Sequence, residues 1–480
     1  MVNAMRRVAV IGAGITGLAA AYRMRELAAE REFPLEVIVL DRATRAGGPL
    51  ATIRRDGFTI ETGADSFLTE KPQAADLARR LGLGDELIPT REEFRRTLVV
   101  HRGRLVEIPD GFSLLAPARL GPVMKSELFS PLAKLRIALE PFVPKRKDRR
   151  DESLAAFVTR RLGREVLERV AQPLAGGIYT ADPSRLSIAA TTPRFVEMER
   201  RHGSLIRGLR AAERARAVAT GANASGTSGA RWSLFATLRG GIGTLPDALA
   251  ARLADGLRLG VEVRCITPRA DGCEIITENG ERISADAVIC AAPAYAAARM
   301  IRAAEPRLAE MLGAISYASA ATVSMTFRES DFPAPPRAVG FVVPIIERRR
   351  IIAGSFTSLK FENRAPAGMI LARAFIGGEL QRELNGLPDD AMISAARGEF
   401  RDLLGVSAAP GAALVRRWPD SMPQYEVGHL DRVAEIERAA AAIPRLAISG
   451  AAYRGVGIPD CIRDGEQAAG AILDLLARDQ

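Results

Sequence analysis

Cysteine is scarce in this chain: Cys265, Cys273, Cys290 and Cys461 are the only four in 480 residues, and no two form a CxxC pair. That argues against a disulfide framework and against a sulfur-ligated zinc site, and it fits a reducing, cytoplasmic setting. Cys265 and Cys273 could face each other across a hairpin, but buried free thiols are the simpler reading. Histidine is scarcer still (His101, His202, His429), which leaves no evident Ser–His–Asp or Cys–His arrangement. No run of eighteen apolar residues occurs, so no transmembrane helix is predicted. The first strand starts at Val8, leaving no room for a signal peptide ahead of it. Aromatic residues make up only 5%. With no zinc spacing, no RNA-recognition signature and no basic tail, nucleic acid is not the partner that the net charge of +10 implies. An anionic membrane surface, an acidic small substrate or a merely arginine-rich composition remain. Hydrophobic and charged fractions of 48% and 26% are those of a globular protein, and the length predicts two or three lobes.

Against that background one stretch stands out. The apolar run Val8–Ile11 leads straight into Gly12-Ala13-Gly14-Ile15-Thr16-Gly17, which opens a helix rich in Ala, Leu and Met. A second apolar run, Val37–Leu40, ends on Asp41. Each residue has a mechanical use. Gly12 permits a tight turn, Gly14 lets backbone approach a pyrophosphate, and Gly17 lets helix and strand pack closely. The helix entry offers unpaired N–H groups to the diphosphate, and Asp41 can accept from a ribose diol. The strand, glycine loop, helix, strand and acid together predict dinucleotide binding.

Farther along, residues 46–62 predict a hairpin turning at Asp56-Gly57, and Arg95–Ile108 a second one turning at Arg102-Gly103. From Pro109 to Pro193, prolines punctuate short amphipathic helices. Leu128, Phe129, Leu132, Leu135 and Leu139 supply apolar material there, and Lys125, Lys134, Arg136 and the Lys145–Arg150 cluster supply positive charge. Such a helical insertion suits a bilayer surface or the cap of an apolar pocket; an internal lobe with a solvated basic face is the alternative. Residues 211–230 have almost nothing to bury and read as a mobile loop. Strands follow between about Ala320 and Phe375, then a helix near Asp389–Leu404. The chain closes with a strand, a glycine-rich loop and a helix, much as it began. The predicted fold class is therefore mixed α/β. A discontinuous Rossmann-like nucleotide domain (1–75, 240–298, 410–480) carries an inserted sheet domain (76–108, 194–239, 299–409) and a helical, membrane-associating insertion (109–193).

Arg45-Ala46-Gly47-Gly48, close behind Asp41, matches the second glycine motif of flavin oxidoreductases and moves the expected cofactor from NAD to FAD. With GADSFLTEKP, PLAGGIYTADPSRLS, GGIGTLPDAL, WPDSMPQY and SGAAYRGVGIPDCIRDGEQAA, the chain resembles the oxygen-dependent protoporphyrinogen/coproporphyrinogen oxidase family of the amine-oxidase superfamily. One departure is Pro49, where a larger side chain is common. The resemblance implies that Gly12, Ala13, Gly14, Ile15, Thr16 and Gly17 hold the FAD pyrophosphate and that Asp41 and Arg42 bind the adenosine ribose. It places Arg45 and Gly48 beneath the diphosphate, with Gly63, Ala64, Asp65 and Ser66 along the flavin side. The backbone of Val263 would meet adenine, Trp418 would lie near the isoalloxazine, and Val456, Gly457 and Ile458 would reach the ring end. It further implies a porphyrinogen substrate, molecular oxygen as acceptor, a homodimer, a peripheral membrane contact and hand-off of product to a ferrochelatase. An FAD-dependent amine oxidase or carotenoid desaturase, or a non-catalytic porphyrin-binding flavoprotein, is the competing expectation.

A porphyrinogen is an apolar macrocycle rimmed with carboxylates, so its site needs a wide slot and a few cations rather than a catalytic base. Lys71, Arg91 and Arg96 are the substrate-binding candidates; an arginine can grip a propionate with two parallel hydrogen bonds, whereas a lysine offers a point charge. No metal ligands are expected.

Overall fold

The structure is a computed structural model describing residues 5–148, 150–220 and 234–479. The chain divides into two compact units, one of residues 1–89, 234–316 and 430–480, the other of residues 90–233 and 317–429.

In the first unit, strand β1 (Arg6–Ile11), helix α1 (Ile15–Glu30) and strand β2 (Leu35–Asp41) follow the pattern of the sequence. β1 pairs in parallel with β2 on one side and with Ala287–Cys290 on the other. Leu257–Leu259 and Leu446–Ile448 extend the sheet to five parallel strands. Strands buried on both faces need apolar residues throughout, which is why Val8, Ala9, Val10, Val37, Val39 and Leu40 read as unbroken runs. α1 is made of strong helix formers and buries Leu18, Ala19, Ala20, Ala21 and Met24. The last helix, Ile458–Arg478, packs along it.

The second unit is built on a seven-stranded, mostly antiparallel sheet. Its order runs Ala413–Pro423, Tyr317–Arg328, Met369–Gly377, Ala353–Phe356, Gly340–Val342, Thr97–His101, Arg104–Glu107. Phe327, Phe341, Phe356 and Phe400 form its aromatic core. Helices between Leu120 and Thr220 complete the unit around a fully buried pair, Arg161 and Glu140. Glu140 also accepts from Ser204 Oγ at 2.5 Å and from the Leu205 N–H at 2.9 Å, so its charge is satisfied from several sides.

The boundaries differ from those predicted. Residues 410–429 do not join the nucleotide domain, because Ala413–Pro423 pairs along its length with Tyr317–Arg328 in the seven-stranded sheet. Conversely, helix Gln73–Arg80 packs on the last helix, and Phe235–Leu238 pairs with Phe67–Leu68 and Leu87–Pro89, so 76–89 and 234–239 belong to the first unit. Residues 299–316, expected in the sheet domain, also fall in the first unit. The loop predicted over 211–230 is half overturned: Leu205–Thr220 is one helix, and 221–230 lie outside the described residues. Alanine and arginine favour that helix even where the segment has little to bury.

Candidate functional site

The glycine turn after β1 is shaped by contacts a side chain would abolish. Gly12 has φ +108°, and a Cβ there would stand 2.9 Å from the Ala291 carbonyl oxygen. Gly17 lies so close beneath the turn that a Cβ would come within 1.9 Å of the Gly12 carbonyl oxygen. Gly14 differs from both: nothing lies within 4 Å of its Cβ direction. It precedes α1, whose entry has no side-chain cap and no acidic residue in its first turn. The entry thus offers an open approach at Gly14 next to a positive dipole end, the arrangement a diphosphate requires.

Two neighbouring segments enclose the turn. Asp41, at the end of β2, accepts from the Ala13 N–H through Oδ2 (2.6 Å) and from the Ala43 N–H through Oδ1 (2.7 Å). It thus braces the glycine loop, and each oxygen keeps a further lone pair for a ribose hydroxyl. Arg42 beside it is exposed. Gly47 donates to the Ala13 carbonyl at 2.7 Å, laying residues 45–48 across the loop. The Arg45 guanidinium points into its own segment, donating to the carbonyls of Ala46 (2.6 Å), Gly48 (2.6 Å) and Leu50 (3.2 Å). It therefore orders its own loop, the segment expected to lie beneath the diphosphate. Gly63 packs on Pro49, whose carbonyl would lie 2.2 Å from a Cβ at that position. Beyond it, Ser66 Oγ donates to Asp65 Oδ1 (2.7 Å), and Ala64 is exposed. Val263 is buried, two residues past a Val261 N–H that donates to the Asp41 carbonyl (2.8 Å). The residues expected on the adenine side are thus gathered at the Asp41 end of the sheet.

The last helix supplies a second entry. Gly457 precedes it without a side-chain cap, and Ile458 and Pro459 begin it. Because it packs on α1, the two helix entries, at Gly14–Ile15 and Gly457–Ile458, belong to one unit. Asp464 secures the preceding turn by accepting from Ser449 Oγ (2.8 Å) and the Gly450 N–H (2.6 Å). Burial pushes its carboxyl above the usual range despite those bonds.

The cationic candidates look different from their sequence-based expectation. Lys71 pairs with Asp460 at 2.5 Å. Arg91 holds Glu93 (2.5 Å) and stacks over Phe94, and Arg96 holds Glu107 (2.6 Å). Arg91, Arg96 and the half-buried Trp418 belong to the second unit, Lys71 to the first. Each of the three cations already has a carboxylate partner, which composition and position along the chain do not reveal. Asp460, part of the C-terminal glycine turn but not among the expected site residues, shows in the sequence only as the acid of GIPD in a helix's first turn.

No cluster capable of holding a metal occurs among the described residues, and no described helix is long and apolar enough to cross a membrane. The four thiols are free, and Cys265 and Cys273 are not opposite each other: Cys265 pairs with Ile276 and Cys273 with Pro268. Burial pushes the Cys273 and Cys290 thiols to about 11 and Cys461 to about 12, so none of these three is a thiolate at neutral pH.

Residues 15–473 match the model of the flavin containing amine oxidoreductase family. The chain is 35% identical over 487 positions to the coproporphyrinogen III oxidase of Propionibacterium freudenreichii, covering 97% of this chain and 90% of that one. It is 33% identical to the coproporphyrinogen III oxidase of Bacillus subtilis, covering 99% and 100%. A solved structure from Exiguobacterium sp. 255-15, provisionally assigned as a protoporphyrinogen oxidase, superposes with a TM-score of 0.84 at 29% identity over 99% of both chains. The open glycine turn and the second helix entry suit the cofactor of that family. The chain belongs to the flavin containing amine oxidoreductases, in their protoporphyrinogen/coproporphyrinogen oxidase family, and is an FAD-dependent oxidoreductase.

Proposed function

We propose that this enzyme oxidises a porphyrinogen to the porphyrin, with coproporphyrinogen III as its substrate and molecular oxygen as the final acceptor. The observation that carries the reading is likeness along the whole chain to two coproporphyrinogen III oxidases. The basic charge is in keeping with a substrate of four carboxylates rather than two. The net reaction removes six hydrogens from the macrocycle in three two-electron rounds and converts three molecules of oxygen to three of hydrogen peroxide.

FAD, when bound, would supply the hydride-accepting and oxygen-reducing chemistry of each round. The protein's part is to hold and orient. N–H groups from Gly14 to Gly17 would bind the diphosphate, Asp41 the ribose, and the backbone at Val456–Ile458 would align the ring end. Three protons leave with the three hydrides, two from pyrrole nitrogens and one from the remaining meso carbon, and the aromaticity gained makes a dedicated base unnecessary. His101 is poorly suited to act as one: burial, with Arg169 and Arg102 nearby, lowers its pKa and so weakens it as a proton acceptor.

The test is to purify the yellow protein and supply coproporphyrinogen III or protoporphyrinogen IX in air. Porphyrin fluorescence should grow catalytically, faster with the former, with three peroxides per porphyrin. Bound flavin with no porphyrin formed from either substrate would refute the reading.

We also infer a peripheral contact with an anionic bilayer through helix Pro131–Ala138 and the turn after it. Leu132, Leu135, Leu139 and Phe142 are all exposed at helical spacing, and the exposed Lys125, Lys145 and Lys147 lie close to them in sequence.

A further inference from the structure

We propose that Lys71 is a positioning residue for the cofactor, which through its pair with Asp460 fixes the entry of the last helix and sets the charge there. This rests on the reading that Val456–Ile458 face the flavin ring. Asp460 is buried in the first turn of that helix, and the pair joins it to a residue 389 positions away, just ahead of helix Gln73–Arg80. Its other oxygen is held by Arg463 at 3.0 Å. The carboxylate fills the space side chains would take in the turn. A Cβ on Gly455 would lie 2.5 Å from Asp460 Cγ, and one on Gly457 3.1 Å from Oδ2. Gly455, at φ +142°, is therefore shaped around this acid, and moving the acid moves the turn.

Charge makes the arrangement informative. An acid in the first turn suits the helix dipole but opposes any anion brought to the same N–H groups. Held between Lys71 and Arg463, Asp460 leaves a net positive charge beside the turn. Without Lys71 the cluster is neutral; without the acid it is more positive. Two-electron reduction places negative charge on a flavin, so the two substitutions should shift its potential in opposite directions. With its charge shared with a buried acid, Lys71 attracts a substrate carboxylate less strongly than a free lysine would.

The experiment measures FAD affinity and two-electron midpoint potential, by dye equilibration, in the holoenzyme and five variants. Lys71→Met should favour oxidised over reduced FAD by about tenfold, a fall of about 30 mV. Asp460→Asn should raise the potential, the double variant should return near the parent value, and Lys71→Arg should retain it. The porphyrinogen KM should stay constant in Lys71→Met. Unshifted potential and FAD affinity with a raised KM would overturn the proposal and return Lys71 to the substrate. A Gly457→Val variant separates the two failures. Normal FAD binding and potential there would remove the underlying assignment of the helix entry. A loss there, with no shift in the Lys71 and Asp460 variants, would remove the Lys71 proposal alone.

Discussion

Gly465 of the last helix rests directly on Thr16 of α1: a Cβ on Gly465 would stand 2.3 Å from the Thr16 carbonyl oxygen. This contact lets two helices that begin at glycine turns run close together. Alanine would favour the isolated helix by about 1 kcal/mol. Here the obstacle is backbone, which cannot swing aside as a side chain would. Gly465→Ala should therefore destabilise the protein by about 1–3 kcal/mol in chemical denaturation and reduce the FAD retained on purification. An unchanged denaturation midpoint would show that the helices part without cost.

Gly12 and Gly14 are two residues apart in one motif, yet they should fail in different ways. Gly12→Ala places a side chain at φ +108° against Ala291 and should cost the apoprotein about 1–3 kcal/mol. Gly14 has φ −71° and open space above it, so Gly14→Ala should change apoprotein stability by less than about 0.5 kcal/mol. The same methyl group would occupy the place assigned to the diphosphate, weakening FAD binding about tenfold or more. Denaturation without FAD and titration with FAD give the two numbers. Equal FAD affinity in Gly14→Ala would place the diphosphate elsewhere.

What the sequence made legible is local. β1, α1, β2 and both hairpins follow from periodicity and turn chemistry, because strands buried on two faces and turns at Asp56-Gly57 and Arg102-Gly103 leave strong patterns. The glycines after β1 were readable for the same reason, since turn geometry permits little else there. The partners of charged residues were not. Lys71 and Asp460 meet across 389 positions, and no spacing rule connects them. Strand Ala413–Pro423 was misplaced because its half-exposed edge character lacks an apolar run, and only pairing with Tyr317–Arg328 assigns it. Helix Leu205–Thr220 was lost because its last turns look like the polar, small-residue segment that follows.

Acid stability should depend on Glu199 in the second unit. Burial would raise its pKa, but the hydrogen bonds from Arg160 (2.6 and 3.0 Å), with the charges of Arg160 and Arg161, outweigh burial and hold it below the ordinary 4.5. A carboxyl lowered in the folded state stabilises above its unfolded pKa and loses that contribution as pH falls through the folded value. Parent protein should thus lose stability on acidification below pH 4.5. Glu199→Gln should be less stable at pH 7 by about 3 kcal/mol, because Arg160 and Arg161 lose a partner, and should show a shallower acid slope. Parallel slopes for the two proteins would exclude Glu199 as a source of the acid sensitivity.

The apolar stripe on the second unit sets the membrane proposal against a bland alternative. Leu132 and Phe142 are 77% and 76% exposed and Leu135 is 55% exposed, while Ala133 and Ile137 of the same helix face inward. Inserting a leucine or phenylalanine side chain into a bilayer gains about 1.5–3 kcal/mol each, enough for several together to bind reversibly alongside basic residues. Leu135→Glu with Phe142→Glu should abolish flotation with phosphatidylglycerol vesicles, because both positions would then bring charge to an apolar, anionic surface. Their exposure means that the denaturation midpoint and FAD content should stay at parent values. Neutral phosphatidylcholine vesicles, or high salt, should weaken flotation of the parent. Equal flotation of parent and double variant would assign any membrane contact to another face and leave this stripe as ordinary exposed surface.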